Sequence, residues 1–164
     1  MTNKEFFIKT LDAEGPIFIR LIKAVPEDKA DFKPHEKARS ARHIAIQLGA
    51  QAALMSSVIK TGTIDFGKPY TDENQSIADA AASAEKNFAQ VKKDLAGITD
   101  EDWEKTEVKM IWPGGEWKTQ KFHMVWDFLF DGIHHRGQLS TYIRVMGGKV
   151  PSIYGGSADE GPSA

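Results

Sequence analysis

Two ionisable residues lie four positions apart on the apolar side of a helix predicted near the C-terminal end of the chain. At about 100° per residue, Asp131 and His135 fall within the arc of the apolar residues Met124, Phe128 and Leu139. Such a carboxylate and imidazole can ligate a metal ion together or hydrogen-bond across a core. Because an unpaired ionisable group in an apolar interior costs several kcal/mol, we expect the functional site here.

A second set of polar residues interrupts the apolar face of an earlier predicted helix. His43, Gln47 and Gln51 follow one another at intervals of four. If the two helices are neighbours, His43 or Gln47 approaches Asp131 and His135, forming a mixed imidazole, amide and carboxylate site. Zinc, nickel, manganese and iron all accept such ligands. A divalent ion there would activate a bound water or thiol, or polarise a carbonyl group.

Two simpler interpretations remain open for these residues. Asp131 and His135 can form a hydrogen-bonded pair in the core, and His43 can be a surface histidine on the first turn of its helix. Four further residues are candidates to contact the metal ligands and fix their orientation: His134, Arg136, Gln138 and Tyr142. Of these, Arg136 is expected to point outward, although an arginine beside a buried carboxylate would ion-pair with it.

The composition is that of a single globular domain, which we place at residues 1–154. The chain has 164 residues, of which 41% are hydrophobic and 27% are charged. Since cysteine is absent, any metal must be held by nitrogen and oxygen ligands. Residues 155–164 contain no large apolar residue and are predicted to be a mobile tail.

Charge and hydropathy argue against two classes of partner. The formal net charge of -2 gives no general attraction to nucleic acid, and the lysines form no basic block. No apolar run approaches the ~20 residues that would span a bilayer, so no membrane partner is expected. The N-terminus is too polar for a secretory signal, and the expected location is the cytoplasm.

Four amphipathic segments must position the candidate residues, and together they predict an all-α four-helix bundle. The predicted helices cover residues 3–24, 41–60, 77–97 and 121–146. Thr2, Ser40 and Ser76 are their predicted N-caps, and Gly15 with Pro16 should kink or break the first helix. The connections 25–39 and 61–75 are long, and residues 106–119 contain a short β-hairpin around the turn 113–115.

Residues 134–155, HHRGQLSTYIRVMGGKVPSIYG, resemble the C-terminal signature of the DinB-like (damage-inducible, YfiT-related) family of metal-dependent proteins. The resemblance implies a four-helix bundle with an up-down-down-up path, commonly a homodimer. It also implies a divalent metal held between helices by three histidines. Some members of that family are transferases or isomerases that use a low-molecular-weight thiol, which implies a small-molecule substrate.

The metal ligands that the resemblance implies match this sequence only in part. His135 matches the last ligand, whereas Asp131 and Gln47 stand where the other two histidines are expected. One hypothesis is therefore a rewired metal site of His43 or Gln47 with Asp131 and His135, catalysing thiol-dependent transfer or hydrolysis. The alternative is a metal-free, dimeric ligand-binding or stress-related scaffold. Asp131 favours the first hypothesis, and Gln47 favours the second.

Overall fold

The computed structural model describes residues 1–161, which are mostly helical with a small sheet. Its five α-helices are α1 Asn3–Lys23, α2 Ala41–Thr61, α3 Ile77–Ala96, α4 Asp100–Lys105 and α5 Lys121–Val145. Its three strands are β1 Thr63–Asp65, β2 Glu107–Trp112 and β3 Gly115–Gln120. The four long helices lie close to the predicted ranges. Residues 162–164 of the predicted mobile tail lie outside the described part of the chain.

Local side-chain caps explain where the long helices begin. The Thr2 hydroxyl accepts the Glu5 N–H, while the Glu5 carboxylate accepts the Thr2 N–H, which completes a capping box. The Ser40 hydroxyl caps α2 by accepting the His43 N–H, and Ser76 forms a second capping box, with Asp79, at the start of α3. The predicted N-caps are thus confirmed.

Helix α1 continues through Pro16, so the predicted break at this position is wrong. An internal proline removes one intrahelical hydrogen bond and costs about 3 kcal/mol. Phe18, Leu21 and Ile22 follow it and are almost fully buried. Burying these three side chains offsets the cost of the proline, since each contributes roughly 1.5–3 kcal/mol.

The predicted hairpin is confirmed, but it belongs to a three-stranded sheet that the all-α prediction omitted. β2 and β3 pair antiparallel, and β1 pairs with β2 in parallel. Gly62 ends α2 in the left-handed conformation, at φ 68°, and turns the chain directly into β1. The side chains of Ile64 and Val108 are buried and attach the sheet to the helical core.

The helices share one hydrophobic core. Helix α2 packs against α3 and α5, and α1 packs against the same two helices. This arrangement places α2 beside α5, as the candidate site requires. Within residues 1–161, none of the helices is both long and apolar enough to cross a membrane.

The segment that follows α5 makes specific contacts with the helices. The Asp159 carboxylate lies 2.7 Å from the Arg144 guanidinium of α5, and it accepts the Val150 N–H at 2.8 Å. The Glu160 carboxylate lies 2.5 Å from the Arg20 guanidinium of α1. These ion pairs link residues 159 and 160 to both terminal helices.

Candidate functional site

A polar network joins α2 and α5 around the Asp131 carboxylate. The Gln51 side-chain nitrogen donates to the Phe128 carbonyl oxygen at 2.8 Å and to Asp131 Oδ2 at 3.0 Å. The Gln47 side-chain nitrogen lies 3.5 Å from the same Asp131 oxygen. Both glutamines are nearly fully buried. The predicted approach of Gln47 to Asp131 is therefore present in the structure.

Gly132 makes this close contact between the helices sterically feasible. A Cβ atom at this position would lie 3.0 Å from the Phe18 ring and 3.5 Å from Gln51 Cγ. A larger residue would push α5 away from Gln51 and Phe18. The glycine thus holds α5 near enough for the Gln51 amide to reach a backbone carbonyl of that helix.

The orientation of both amides follows from their partners. A backbone carbonyl can only accept, so the nitrogen of Gln51 faces Phe128. A guanidinium can only donate, so Gln47 Oε1 faces Arg39 and its nitrogen faces Asp131. Two N–H donors therefore point toward the carboxylate, and neither amide presents an oxygen to it.

His135 joins the network at the other oxygen of the Asp131 carboxylate. Its Nε2 lies 3.4 Å from Asp131 Oδ1, and its Nδ1 lies 2.9 Å from Gln138 Oε1. The side-chain nitrogen of Gln138 lies 3.1 Å from His134 Nε2, so the Gln138 amide contacts both histidines. Gln138 is thus in contact with His135, and its role in orienting a metal ligand stays a prediction.

The site lies at the edge of the helix interface rather than in the core. The Asp131 side chain is 48% exposed and that of His135 is 16% exposed. The prediction that Asp131 faces the core is therefore wrong. The buried side of α5 instead passes through Phe128, Gly132 and Arg136. Asp131 is adjacent to that side, and neither glutamine donates to its other carboxylate oxygen, Oδ1.

The structure does not bring His43 to this network. Its Nδ1 lies 2.7 Å from the Glu73 carboxylate, in the connection between β1 and α3. His43 stands on the first turn of α2, one turn before Gln47. The first turn of α2 faces the connection that precedes α3, so His43 contacts a residue of that connection. Of the other candidate residues, Tyr142 packs edge-on against Phe32 with ring centroids 5.8 Å apart.

The predicted outward direction of Arg136 is also wrong. Its side chain is 1% exposed, and Nη1 lies 2.5 Å from the Glu14 carboxylate of α1. Its other Nη donates to the Tyr154 hydroxyl at 2.6 Å, and the guanidinium lies 4.7 Å from the centre of the Phe18 ring. Arg136 therefore ties α5 to α1 and to the C-terminal segment, one turn beyond Gly132 on the buried side of α5.

Sequence reasoning missed two participants for which the sequence contains a signal. Arg39 directly precedes the Ser40 N-cap, so the start of α2 places it one or two turns from Gln47. Glu14 lies three residues after Leu11 and four before Phe18, on the buried stripe of α1. A carboxylate within that stripe indicates a buried cation elsewhere in the chain, which is Arg136.

The donor set does not fit a metal held by three side chains. Asp131 Oδ1 and His135 Nε2 are two available ligand atoms, but the third position is occupied by amide N–H donors of Gln47 and Gln51. N–H groups cannot ligate a cation. Across the described range 1–161, no group of three or more histidine, aspartate or glutamate side chains could hold a metal ion.

A mostly helical fold with a small sheet, and a polar site between α2 and α5, define the class of this protein. The chain belongs to the DinB family, whose family model matches residues 1–162. Proteins of this family are generally metal-associated. The predicted family resemblance is thus confirmed, whereas the site differs from the histidine pattern that it implies.

Solved structures similar to this fold include crystal structures of two DinB-like proteins. A DinB-like protein from Bacillus cereus has a TM-score of 0.73 and 18% identity, covering 92% of this chain and 97% of its own. A DinB-like protein from Bacillus subtilis has a TM-score of 0.67 and 21% identity, covering 88% of this chain and 94% of its own. At these identities the likeness concerns the fold alone. No curated protein matches the chain.

Proposed function

We propose that this DinB-family protein binds a small polar molecule, without a metal, at the site formed by Gln47, Gln51, Asp131 and His135. The observation that supports the proposal is the direction of the two amides. Both donate to one oxygen of Asp131, where ligation of a metal would require lone pairs. Hydrogen bonds to an ionised oxygen are stronger than neutral ones, so the network is stable as it stands.

The accessible groups at the edge of the network indicate the chemistry of the ligand. Oδ1 of Asp131 accepts from neither glutamine, and His135 Nε2 lies 3.4 Å from it, so a bound group can contact both atoms. Arg39 is exposed, and among residues 1–161 only Gln47 accepts from one of its five N–H donors. A small molecule that carries both an anionic group and hydrogen-bond donors suits this arrangement. A low-molecular-weight thiol with an amine and a carboxylate is one such ligand.

The metal-dependent hypothesis stays a prediction. It holds that zinc, nickel, manganese or iron binds at Asp131 and His135 and supports thiol-dependent transfer or hydrolysis. The i, i+4 pair in contact at 3.4 Å favours it, because one carboxylate oxygen and one ring nitrogen face the same space. We place it second because the chain supplies two ligands there, whereas a catalytic zinc site ordinarily has three.

We also propose a homodimer, as the family resemblance implies, and its interface follows from exposed aromatic side chains. Phe6 of α1 and Phe130 of α5 are 50% and 57% exposed, and both rings contact Trp126. Such a contiguous aromatic surface is typical of an interface. The up-down-down-up path of a four-helix bundle, a cytoplasmic location and a role in stress response complete the proposal.

Restoring the histidines that the family resemblance implies is the sharpest test of the metal-free site. We expect protein purified without an affinity tag to bind no stoichiometric metal after incubation with zinc, nickel, manganese or iron. The double variant Gln47→His with Asp131→His presents three imidazoles with His135 and is expected to bind one equivalent. At a metal concentration about 100 times its Kd, the variant gains about 2.7 kcal/mol of stability. Elemental analysis and thermal unfolding measure both effects.

The parent protein with His135→Ala is the matched control for adventitious binding. Stoichiometric metal in the parent that disappears in His135→Ala would overturn the metal-free proposal in favour of the metalloenzyme. Ligand binding is measured separately, by thermal unfolding in the presence of cysteine. We expect millimolar cysteine to raise the Tm of the parent but not that of Asp131→Asn. Equal shifts in both proteins would show that the carboxylate takes no part in binding.

A further inference from the structure

We propose a second site, for a phosphorylated small molecule, in the groove between the C-terminal end of α2 and the outer face of the sheet. The groove is an open cavity of about 470 Å³. This volume lies in the ordinary range for small-molecule sites. It shares none of its lining residues with the network around Asp131. Four lysines line it, Lys60, Lys109, Lys118 and Lys121, against a single acidic residue, Glu107.

The register of the sheet places two of these lysines directly opposite each other. Lys109 of β2 pairs with Lys118 of β3, and Thr63 of β1 is the partner of Lys109 on its other side. Thr63, Lys109 and Lys118 thus form one row across all three strands. Opposed side chains in a sheet lie about 5 Å apart, and like charges at that distance destabilise the pairing. An anion over this row would remove the repulsion.

The turn after α2 brings a third lysine to the row. Gly62, in the left-handed conformation, accepts the Lys109 N–H at 2.9 Å through its carbonyl oxygen. This bond holds the last turn of α2, which carries Lys60, beside the start of β1 and the middle of β2. The groove is therefore built by the fold and is not a chance gathering of mobile side chains.

The charge balance leaves two lysines without a counter-ion. Lys121 is buried beside Asp102 at 2.6 Å, and Lys118 lies 3.1 Å from Glu116. Among the described residues, the side chains of Lys60 and Lys109 make neither an ion pair nor a hydrogen bond. Glu107 lies diagonally from Lys118 and offsets part of its charge. The Thr63 hydroxyl has no partner in the same part of the chain and is a further donor.

These groups match the chemistry of a phosphate ester. A phosphate group carries a charge of about -1.5 to -2 and three strong acceptor oxygens. Lys60 and Lys109 supply the charge, and Thr63 supplies a hydroxyl donor within the same row. Lysine binds phosphate as a point charge and needs no bidentate geometry. The partial negative charge at the end of α2 is only about half an elementary charge, so the lysines outweigh it.

The test compares pyrophosphate binding by the full chain and by two variants with equal charge changes. Isothermal titration with inorganic pyrophosphate is expected to give one saturable site. Lys60→Gln with Lys109→Gln should weaken binding by about tenfold or more, which corresponds to about 1.4 kcal/mol. The control Lys86→Gln with Lys93→Gln removes two charges from the exposed side of α3 and should change the Kd by less than about twofold.

A second readout does not depend on the ligand. Lys109→Gln removes the opposed charges and should raise the Tm of the free protein while weakening pyrophosphate binding. No saturable binding by the parent, or equal loss in both double variants, would overturn the proposal. So would binding to an oligonucleotide or to phosphatidylglycerol vesicles without binding to pyrophosphate, because each identifies a macromolecular surface as the partner. Failure here leaves the site around Asp131 unaffected, since the two share no residue.

Discussion

Removing the Glu14 carboxylate is expected to destabilise the protein strongly, because it leaves the Arg136 guanidinium buried without a counter-charge. The Arg136 side chain is 1% exposed and that of Glu14 is 10% exposed, at a separation of 2.5 Å. After Glu14→Leu, the contacts left to the guanidinium within residues 1–161 are the hydroxyl and ring of Tyr154 and the ring of Phe18, and none of them carries a counter-charge. Breaking a buried pair on one side costs about 3–5 kcal/mol. For a domain of this size, each kcal/mol lowers the Tm by about 2–4 °C, or roughly 6–20 °C in total.

A double-mutant cycle in urea and thermal unfolding measures the pair. Glu14→Leu with Arg136→Met replaces both charges by apolar side chains, and we expect it to recover most of the lost stability, since no buried charge then remains unpaired. Glu85→Leu is the control, because the Lys23–Glu85 pair has the same kind of contact at 2.7 Å with both side chains more than half exposed. Exposed pairs contribute about 0–1 kcal/mol. A loss in Glu14→Leu no larger than in Glu85→Leu would refute the argument from burial.

Two further predictions concern the packing of α2 and the acid stability of the fold. A Cβ at Gly49 would lie 2.6 Å from the Ala80 carbonyl oxygen, so Gly49→Ala should separate α2 from α3 and cost about 1–3 kcal/mol in urea unfolding. A Tm equal to that of the parent would show that the helices adjust freely. Hydrogen bonds from Lys121 and then Thr106 lower the pKa of Asp102, so its stabilisation is present at neutral pH and disappears as the pH falls below about 4. Asp102→Asn should therefore be less stable at neutral pH and lose less stability in acid, and parallel pH profiles of the two proteins would contradict this.

The parts of the fold that the sequence predicted are those controlled by local contacts. Thr2, Ser40 and Ser76 cap helices through residues three positions away, so their sequence neighbours are sufficient to identify them. Strand β1 has only three residues and pairs with β2 more than forty positions later. No local pattern distinguishes so short a strand from a loop, since its hydrogen bonds depend on a distant partner.

The direction of α5 was harder to predict, because apolar residues lie on more than one of its sides. Phe130 is 57% exposed while Phe128 is buried, so the apolar arc alone does not identify the buried face. If the arc that contains Asp131 is taken as the buried face of α5, Arg136 is predicted to point toward solvent. The charged partner that brings Arg136 into the core is Glu14, which lies 122 positions away. The approach of Gln47 to Asp131 was predictable because it requires only helical spacing and the neighbourhood of α2 and α5.

Gln47 and Asp131 form one coupled unit, which makes the effects of restoring single histidines predictable. In Asp131→His alone, the amide donors of Gln47 and Gln51 still occupy the third ligand position and now lack the carboxylate that accepted them. In Gln47→His alone, the Arg39 guanidinium loses the amide oxygen that accepted its hydrogen bond, and the Asp131 carboxylate remains among the ligands.

We therefore expect each single variant to bind zinc weakly. The gain in zinc affinity of the double variant should be larger than the product of the two single gains, which corresponds to a coupling free energy of at least about 1 kcal/mol. Competition against a chromophoric chelator measures the three affinities. Purely additive gains would mean that the two positions contribute independently, and that the amides do not obstruct the site.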